Sequence, residues 1–322
     1  MNISVALATH NGRPHLEKQL QSLLQQTYLP KEIIISDDGS TDGTCGLLEE
    51  YCRKSKIIKV VHSERQGINK NFQNAVSICS GEYVAFCDQD DIWAKDKLAR
   101  LSSQFSEKIL LAYGKSILIG ADDQQLPGAV EEYVGFHNYR AGHLPFYFYF
   151  SNCISGHAMM VRKDLIERAL PFPTDCMYDQ WLALIASAKS EIIHVPEAVT
   201  YHRIHDLNAI NNRDINREKK SRRKKLSKYQ KYTNHRAKHL TLLQKGLAES
   251  ETLSPSEYEY LSRLFNHIKS GKYRIFDIRL FFLLIQKRHQ LFHGNLLREC
   301  RNRALGGRYY KFLDFFNFNN AQ

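Results

Sequence analysis

The stretch Ser80-Gly81-Glu82-Tyr83-Val84-Ala85-Phe86-Cys87-Asp88-Gln89-Asp90-Asp91-Ile92-Trp93 decides the fold class of this chain. An apolar run is bounded by a glycine on one side and by three carboxylates on the other, which is typical of a buried parallel strand that opens onto a loop. In open α/β sheets, ligands bind outside the carboxyl ends of the strands, so the acidic residues lie where a site is expected. Three carboxylates within four residues repel one another unless a cation lies among them. Taken alone, the same acids also fit a solvated acidic turn.

The pattern around this stretch repeats the alternation of strand and helix. Strand-like runs at residues 3–8, 32–36 and 57–61 precede it, and helical periodicity separates them. Four strands with intervening helices predict a parallel, doubly wound sheet with right-handed crossovers. Further strands are expected at 110–119, 156–161 and 192–203, and a short helix at 178–188. We predict one domain over residues 1–210, with halves at 1–110 and 111–210, and a helical region over 211–322.

The composition fits an ordinary globular protein, with 43% hydrophobic and 25% charged residues in a chain of 322. Its seven cysteines are scattered without a Cys-x-x-Cys pair, which favours reduced thiols in a cytoplasmic protein over disulfides or zinc. The amino terminus begins directly with a strand-like run, so no signal peptide is expected. No segment approaches the ~20 apolar residues that a membrane-spanning helix needs.

The net charge of +11 is concentrated in Arg213–Lys238, where twelve Lys or Arg and two acids give +10. Such a segment on a nearly neutral body predicts an anionic partner, either a phospholipid surface or nucleic acid. A nucleic-acid motif is absent from it, so an anionic membrane surface is the preferred partner. The later run 275–285 is apolar with basic neighbours, which fits either a helix on a membrane face or internal packing.

Polar residues follow each of the first four strands. In chain order they are Thr9-His10-Asn11-Gly12; Asp37-Asp38-Gly39-Ser40; Arg65-Gln66-Gly67 with Lys70 and Asn71; and Asp88 with Asp90 and Asp91. Because these ends meet at one edge of a parallel sheet, the combination predicts a site for a nucleotide, its diphosphate and a cation. The chain has no Gly-x-Gly-x-x-Gly and no P-loop, so a cation held by carboxylates would have to neutralise the diphosphate.

These motifs resemble those of family 2 glycosyltransferases with the GT-A fold. The resemblance rests on residues 8–12, 35–44, 66–67 and 88–93, and continues at 155–160, 178–184 and 201–205, in the order and spacing of the family. It covers residues 1–210. The Asp-Gln-Asp-Asp-Ile-Trp form of the acidic motif resembles the form found in bacterial enzymes that build O-antigen, capsule and lipopolysaccharide, including rhamnosyl- and galactosyltransferases. The two halves of the first domain would then bind the nucleotide and the acceptor.

The resemblance implies a role for several positions. Asp38 would hold the pyrimidine base of a UDP- or dTDP-sugar, with Thr9 and Asn11 lining the nucleotide. Asp90 would ligate Mn²⁺ or Mg²⁺, and Asp88 would contact the ribose or the metal. His205 would be a further metal ligand. The family has Arg directly after Tyr at this point, whereas the chain reads Tyr-His-Arg-Ile-His. His202 therefore remains an alternative metal ligand.

The resemblance also implies a catalytic base and a setting. Asp179, at the start of the predicted helix 178–188, would deprotonate an acceptor hydroxyl and lead to transfer with inversion. The acceptor would be a lipid-linked glycan, and the enzyme would lie on the cytoplasmic face of the membrane. Two alternatives remain open from the sequence. A sugar nucleotidyltransferase would need a Gly-rich basic loop after the first strand, and a nucleic-acid-binding protein on an inert scaffold is supported only by Arg213–Lys238.

Overall fold

The computed structural model describes residues 1–130, 139–205, 227–249, 253–271, 274–292 and 294–319. The chain divides into two compact units. The first contains Met1–His143, Cys153–Ala186 and Ser190–Asn211, and the second contains Leu144–Asn152, Ser187–Lys189 and Asn212–Gln322. The predicted boundary near residue 210 falls outside the described residues.

The first unit begins with the alternating strands and helices that the sequence predicts. The elements are β1 (Ile3–Thr9), α1 (Arg13–Leu24), β2 (Glu32–Asp37), α2 (Thr44–Lys54), β3 (Ile58–His62), α3 (Ile68–Ile78) and β4 (Tyr83–Asp88). β1 pairs in parallel with β2 and β4, and β2 pairs in parallel with β3. Since β1 lies between two neighbours and is covered by helices, almost all of its residues are buried, which explains its continuous apolar sequence.

The rest of the sheet is mixed. Its elements are β5 (Ile92–Trp93), α4 (Lys97–Ser102), β6 (Leu111–Ile119), β7 (Gln125–Ala129), β8 (Met159–Arg162), α5 (Lys163–Ala169), α6 (Tyr178–Lys189) and β9 (Ile192–Arg203). The strand order is β3-β2-β1-β4-β8-β6-β9-β5, and β7 pairs with β6. β8 is antiparallel to both β4 and β6, while β9 is parallel to β6.

The strand expected at 156–161 is only partly formed. Residues Gly156–Ala158 make a 3₁₀ turn, and the strand itself begins at Met159. The turn packs so closely on Tyr178 that a Cβ on Gly156 would come within 1.9 Å of the tyrosine Oη. A larger residue at this position would therefore clash with the first residue of α6.

The described part of the second unit is helical, as the sequence predicts for this region. Its helices are α7 (Lys228–Ala248), α8 (Pro255–Ser270), α9 (Ile278–Gln286), α10 (Arg288–Leu291), α11 (Leu296–Ala304) and α12 (Gly307–Asn319). Ser227 and Ser254 begin α7 and α8 with capping boxes, in which the serine side chain and the side chain three residues later each accept from a backbone N–H. Among the described residues, we find no helix that combines the length and apolarity needed to cross a membrane.

Candidate functional site

Gln89 joins the ends of β1 and β4. Its Oε1 accepts hydrogen bonds from Thr9 Oγ1 at 2.6 Å and from the His10 backbone N–H at 2.8 Å, and its Nε2 donates to the His10 carbonyl at 3.2 Å. Thr9 is buried, so its hydroxyl is committed to this contact. The first and fourth strand ends, which the sequence predicts to converge, are thereby fixed together.

The loop after β2 is tied to the loop after β1 in the same way. The His10 ring donates from Nδ1 to the Asp38 carbonyl at 2.9 Å, and the Asn11 side chain accepts from the Thr41 N–H at 2.8 Å. The Asn11 N–H donates to Ser40 Oγ at 2.8 Å. Asn11 has a φ of +52°, a conformation that asparagine tolerates better than most residues. His10 and Asn11 therefore lie at the strand edge, as expected.

The two acids that follow β2 have different surroundings. Asp37 is buried and accepts from the hydroxyl and the backbone N–H of Ser40. The Asp38 carboxylate accepts from Ser63 Oγ at 2.9 Å and from the N–H groups of Gln66 and Gly67, both at 2.8 Å. Burial opposes the ionisation of Asp38, but these donors outweigh it and lower the pKa of the carboxyl group. Asp38 thus anchors the third strand-end loop.

That third loop carries the remaining predicted nucleotide residues. Arg65 is exposed with a φ of +40°, and Gly67 precedes α3 with a φ of +84°. Asn71 is buried within the first turn of α3 and donates from Nδ2 to the Thr9 carbonyl at 3.0 Å. Its Oδ1 is buried and has no hydrogen-bond partner among the described residues. All four strand ends therefore meet at one edge of the sheet.

The three acids at the end of β4 and just after it have different surroundings. Asp88 is partly exposed, with 37% of its side chain accessible. Asp90 Oδ2 accepts a hydrogen bond from His205 Nε2 at 2.8 Å. Asp91 is fully buried and accepts at Oδ1 from His202 Nδ1 at 2.9 Å and from the Arg203 backbone N–H at 3.1 Å. The two histidines that compete in the sequence are thus divided between two aspartates.

His157 belongs to this cluster although we assigned it no role from the sequence. Its Nδ1 lies 3.6 Å from Oδ2 of both Asp88 and Asp91, and its Nε2 is hydrogen-bonded to Ser116 Oγ at 2.9 Å. Its ring stacks on that of His202 at 4.7 Å and 7°. The position of His157 two residues before β8 was the available signal, since β8 neighbours β4.

Two buried basic residues bond to groups around the acidic loop. The Arg203 side chain donates from Nε to the Asp90 carbonyl at 2.8 Å. Lys97 donates from Nζ to the carbonyl of His157 and to Thr200 Oγ1, and it lies 3.6 Å from the centre of the Trp93 ring. Burial lowers the pKa of Lys97 to about 7. These contacts hold the backbone around the acids in place, and neither cation was singled out from the sequence.

The acidic loop fits a divalent cation. Asp90 and His205 offer a carboxylate oxygen and an imidazole nitrogen 2.8 Å apart, and the partly exposed carboxylate of Asp88 is close enough to raise the pKa of Asp90. Oxygen ligands suit Mg²⁺, and mixed oxygen and nitrogen ligands suit Mn²⁺. Burial and the neighbouring Asp91 and Asp88 raise the pKa of Asp90, partly offset by His205, so a cation would relieve a real repulsion.

Asp179 lies in the first turn of α6, next to Tyr178. The Tyr178 ring is stacked on Phe86 of β4 at 5.1 Å and lies 4.3 Å from Phe72 of α3. This packing brings the amino end of α6 to the carboxyl end of β4. The half-buried Asp179 carboxylate accepts from the Gln180 N–H at 2.5 Å, and the helix dipole there favours its ionised form.

Asn69 is a positioning residue that the sequence did not reveal. Its Nδ2 donates to the carbonyls of Pro173 and Cys176 at 2.5 and 2.7 Å, and its Oδ1 accepts from the Tyr178 N–H at 3.1 Å. A single side chain of α3 therefore holds the segment that leads into α6. We noted its neighbours Lys70 and Asn71 in the sequence. The partners of Asn69 lie more than 100 residues away in the chain, and sequence patterns do not reveal such contacts.

We expect Asn69→Ala to lower the free energy of unfolding by about 1–3 kcal/mol, because it removes three hydrogen bonds to backbone groups. Chemical denaturation measures this loss. In the glycosyltransferase that the sequence resemblance implies, turnover should fall more than donor affinity, since the amino end of α6 is displaced while the strand-end loops remain. Asn74→Ala, on the same helix, is the matched control and should change neither. Equal behaviour of the two variants would contradict the role of Asn69.

The pairing of His202 with Asp91 predicts that the His202 ring loses its proton at an unusually high pH. Burial favours the neutral ring of His202, but the charge of Asp91 outweighs it and raises the pKa of His202 to about 9. We expect an NMR titration to show this ring protonated at pH 7.5, and Asp91→Asn to make it neutral there. The contribution of the His202 proton to stability is complete below pH 6.5 and is lost as the pH rises through about 9. A ring that titrates below pH 6.5 in the unmodified protein would rule out the pairing.

Comparisons with known proteins give a family and several relatives. The family model described as "Glycosyl transferase family 2" matches residues 4–170. Among curated proteins, the chain is similar to a putative teichuronic acid biosynthesis glycosyltransferase, TuaG, of Bacillus subtilis, with 39% identity over 30% of this chain and 39% of the relative. It is also similar to the dTDP-rhamnosyl transferase RfbG of Shigella flexneri, with 40% identity over 29% of this chain and 34% of the relative. The matching stretches thus span about a third to two-fifths of these relatives.

Solved structures show the same fold. TarS residues 1–349 of S. aureus, in complex with UDP-GlcNAc, aligns with a TM-score of 0.61 and 18% identity over 100% of this chain and 93% of that one. The mannosyltransferase PcManGT of Pyrobaculum calidifontis, in complex with GDP-Man and Mn²⁺, aligns with a TM-score of 0.53 and 17% identity over 94% of this chain and 85% of that one. The predicted GT-A fold with a helical carboxyl-terminal region is confirmed. Since the family model matches more than half of its residues, the chain belongs to glycosyl transferase family 2.

Proposed function

We propose that this protein is an inverting, metal-dependent glycosyltransferase. It would move a sugar from a UDP- or dTDP-sugar to a hydroxyl group of a growing cell-surface glycan, such as O-antigen, capsule or lipopolysaccharide. The observation that carries the proposal is the Asp90–His205 pair, 2.8 Å apart, at the edge where the strand ends meet. The names of the relatives are consistent with it, since they include a dTDP-rhamnosyl transferase and a UDP-Glc glucosyltransferase acting on a diphosphoundecaprenol-linked sugar.

The strand-end loops would hold the nucleotide. Asp38 fixes the loop at Gln66 and Gly67, and Thr9, His10 and Asn11 fix the loops on either side, so the base and ribose would lie against a preformed surface. Asp37, Arg65, Asn71 and Asp88 complete the proposed contacts. Rigid loops of this kind bind without an ordering cost at the moment of binding.

Asp90, His205 and Asp88 would hold the Mn²⁺ or Mg²⁺ ion. When bound, such an ion stabilises the charge of a departing diphosphate. Arg203 and His202 keep the loop in position through the Asp90 carbonyl and the Asp91 carboxylate. His202 is therefore proposed as a support and His205 as the ligand.

Asp179 would act as the general base. Its carboxylate would take the proton from the acceptor hydroxyl, whose oxygen then forms a bond to the anomeric carbon as the bond to the nucleotide diphosphate breaks. Attack from the side opposite the leaving group inverts the anomeric configuration. The dipole of α6 favours the ionised carboxylate that this role requires.

A thermal-shift screen tests the donor class. The protein is heated with UDP-, dTDP- or GDP-sugars, each with Mn²⁺ and with EDTA. A ligand that binds only the folded state raises the melting temperature, so the true donor should stabilise strongly and only with the metal. Stabilisation by none of them, or by all of them equally in EDTA, would contradict the proposal.

We also propose that the protein lies on the cytoplasmic face of the plasma membrane, where a lipid-linked acceptor would be met. Much of Arg213–Lys238 lies outside the described residues, but α9 supports the idea. Leu280, Leu283 and Leu284 are buried, whereas Ile278 and Phe282, one turn apart, are exposed beside Arg279. An exposed apolar strip with a basic residue suits an anionic lipid surface.

Vesicle sedimentation tests this membrane contact. We expect the protein to bind vesicles that contain phosphatidylglycerol, and Phe282→Glu to weaken binding at least fivefold because a charge replaces an inserted ring. Phe312→Glu is the matched control, since Phe282 and Phe312 are both 58% exposed. Loss of binding in both variants, or in neither, would argue against α9 as the contact.

A further inference from the structure

The second unit contains a partly open cavity of about 490 Å³, which lies within the size range of small-ligand sites. Residues of α7, α11 and α12 form much of its wall, and the stacked rings of Tyr232 and Tyr310, 4.9 Å apart, make one side of it. Nothing in the proposed transfer reaction uses this cavity. Its lining nevertheless has the composition of a binding site, with aromatic rings and several charged groups.

The charged groups around the cavity are mostly positive. Four cations line it: Lys228, Lys231, Arg236 and Arg303. The carboxylates of the lining are Asp277 and Glu299, and Asp277 is already paired with Arg274 and His267, which lie outside the lining. The cavity therefore carries a surplus of positive charge that an anion would balance.

Arg303 is the central group of this lining. Its Nε is buried and has no hydrogen-bond partner among the described residues. Its other nitrogens lie 3.4 Å from His239 Nε2 and 3.8 Å from Glu299 Oε2, which are weak contacts. Burial and the charge of Arg303 hold the pKa of His239 well below its usual range, so this ring adds no competing positive charge. A guanidinium with an unused buried donor is suited to an oxyanion.

We propose that this cavity binds the phosphate or diphosphate group of a ligand, with Arg303 and Lys231 as its principal contacts. A planar guanidinium donates to phosphate oxygens through two parallel hydrogen bonds, and an ammonium group adds a point charge. The surplus charge matches a dianion better than a single carboxylate. The tyrosine rings and Phe150 leave room for an organic group attached to the phosphate.

The inference gives the basic stretch a second role. Lys228, Lys231 and Arg236 belong to Arg213–Lys238, which the sequence suggests meets an anionic surface. In the structure these three line a concave, partly open cavity, where a single phosphate group is a better partner than a flat membrane. If the proposed function holds, a phosphate-bearing acceptor is one source of that group, and a free diphosphate is the other.

Isothermal titration with pyrophosphate in EDTA tests the site. Without a divalent metal, the proposed diphosphate site at Asp90 should be silent, so binding reports on the cavity. We expect one site per chain, and at least tenfold weaker binding in Arg303→Gln and in Lys231→Gln. Lys231 is exposed, so its variant keeps the test valid if Arg303→Gln folds poorly. Arg301→Gln is the matched control, because Arg301 lies on the same helix outside the lining.

Each outcome of the pyrophosphate titration either supports or contradicts the proposed phosphate site. Selective weakening by the Arg303 and Lys231 variants supports the site, whereas no binding at millimolar pyrophosphate, or equal weakening in Arg301→Gln, overturns it. Repeating the titration with geranyl diphosphate identifies the source: tighter binding indicates a lipid-borne diphosphate, and equal binding indicates a free one. Donor stabilisation by Mn²⁺ and a nucleotide sugar should survive in Arg303→Gln, so this inference and the proposed function can fail separately.

Discussion

Asp179→Asn is expected to reduce glycosyl transfer by about 10²–10⁴-fold, because an amide cannot accept the proton of the acceptor hydroxyl. Donor binding should be unchanged, since Asp179 lies on α6 and the loops proposed to bind the nucleotide follow β1 to β4. The substitution keeps the size of the side chain and removes only its charge. Initial rates with the donor found in the thermal-shift screen measure the loss, and titration with the same donor measures its affinity.

The matched control for this prediction is Asp175→Asn. Asp175 is an exposed acid four residues earlier, in the segment that Asn69 holds. Its variant should transfer sugar at the normal rate. Near-normal turnover in Asp179→Asn would remove Asp179 from the role of base, and equal losses in both variants would point to a general effect of charge near α6.

Asp90→Ala should abolish the effect of the metal on donor binding. The change removes the carboxylate that accepts a hydrogen bond from His205. We expect the affinity for the donor with Mn²⁺ to fall to the value measured in EDTA, a loss of at least 100-fold if the ion bridges the diphosphate. Calorimetric titration with and without Mn²⁺ measures both values.

Asp96→Ala is the control for the metal prediction. Asp96 lies six residues further on, and its half-buried side chain pairs with that of Arg100, so its loss should not alter donor binding. An unchanged response to Mn²⁺ in Asp90→Ala would rule out the proposed cation site. Folding of the variant is checked by thermal unfolding, since Asp90 also takes part in the network around Arg203.

Much of the first unit could be predicted from local patterns. The strand at 192–203 was predicted with the bounds that the structure gives it, and the first four strands differ by about one residue at their ends. Buried parallel strands read as apolar runs, and the helices between them keep a 3.6-residue period, so both are visible in a single sequence. The two-residue strand Ile92–Trp93 and helix α5 were not predicted, because neither is long enough to show a period.

The different partners of Asp90 and Asp91 in the acidic loop could not be predicted from local patterns. Asp90 and Asp91 are adjacent and chemically identical, and their difference arises from partners more than 100 residues away. His205 meets Asp90, while His202 and the Arg203 backbone meet Asp91. His202 lies in β9 and His205 lies two residues beyond its end, so this strand and the residues that follow it supply one histidine to each acid.

The sequence by itself determined the family and the fold, and it predicted a site at the strand ends, because each depends on local periodicity and on polar residues placed at strand ends. The tertiary structure alone decided which side chains contact one another. It showed that Asn69 holds the start of α6, that the buried Lys97 bonds to His157 and Thr200, and that basic residues of α7 and α11 line a cavity. Those contacts join residues distant in the chain, and their geometry is set only when the helices and strands pack together.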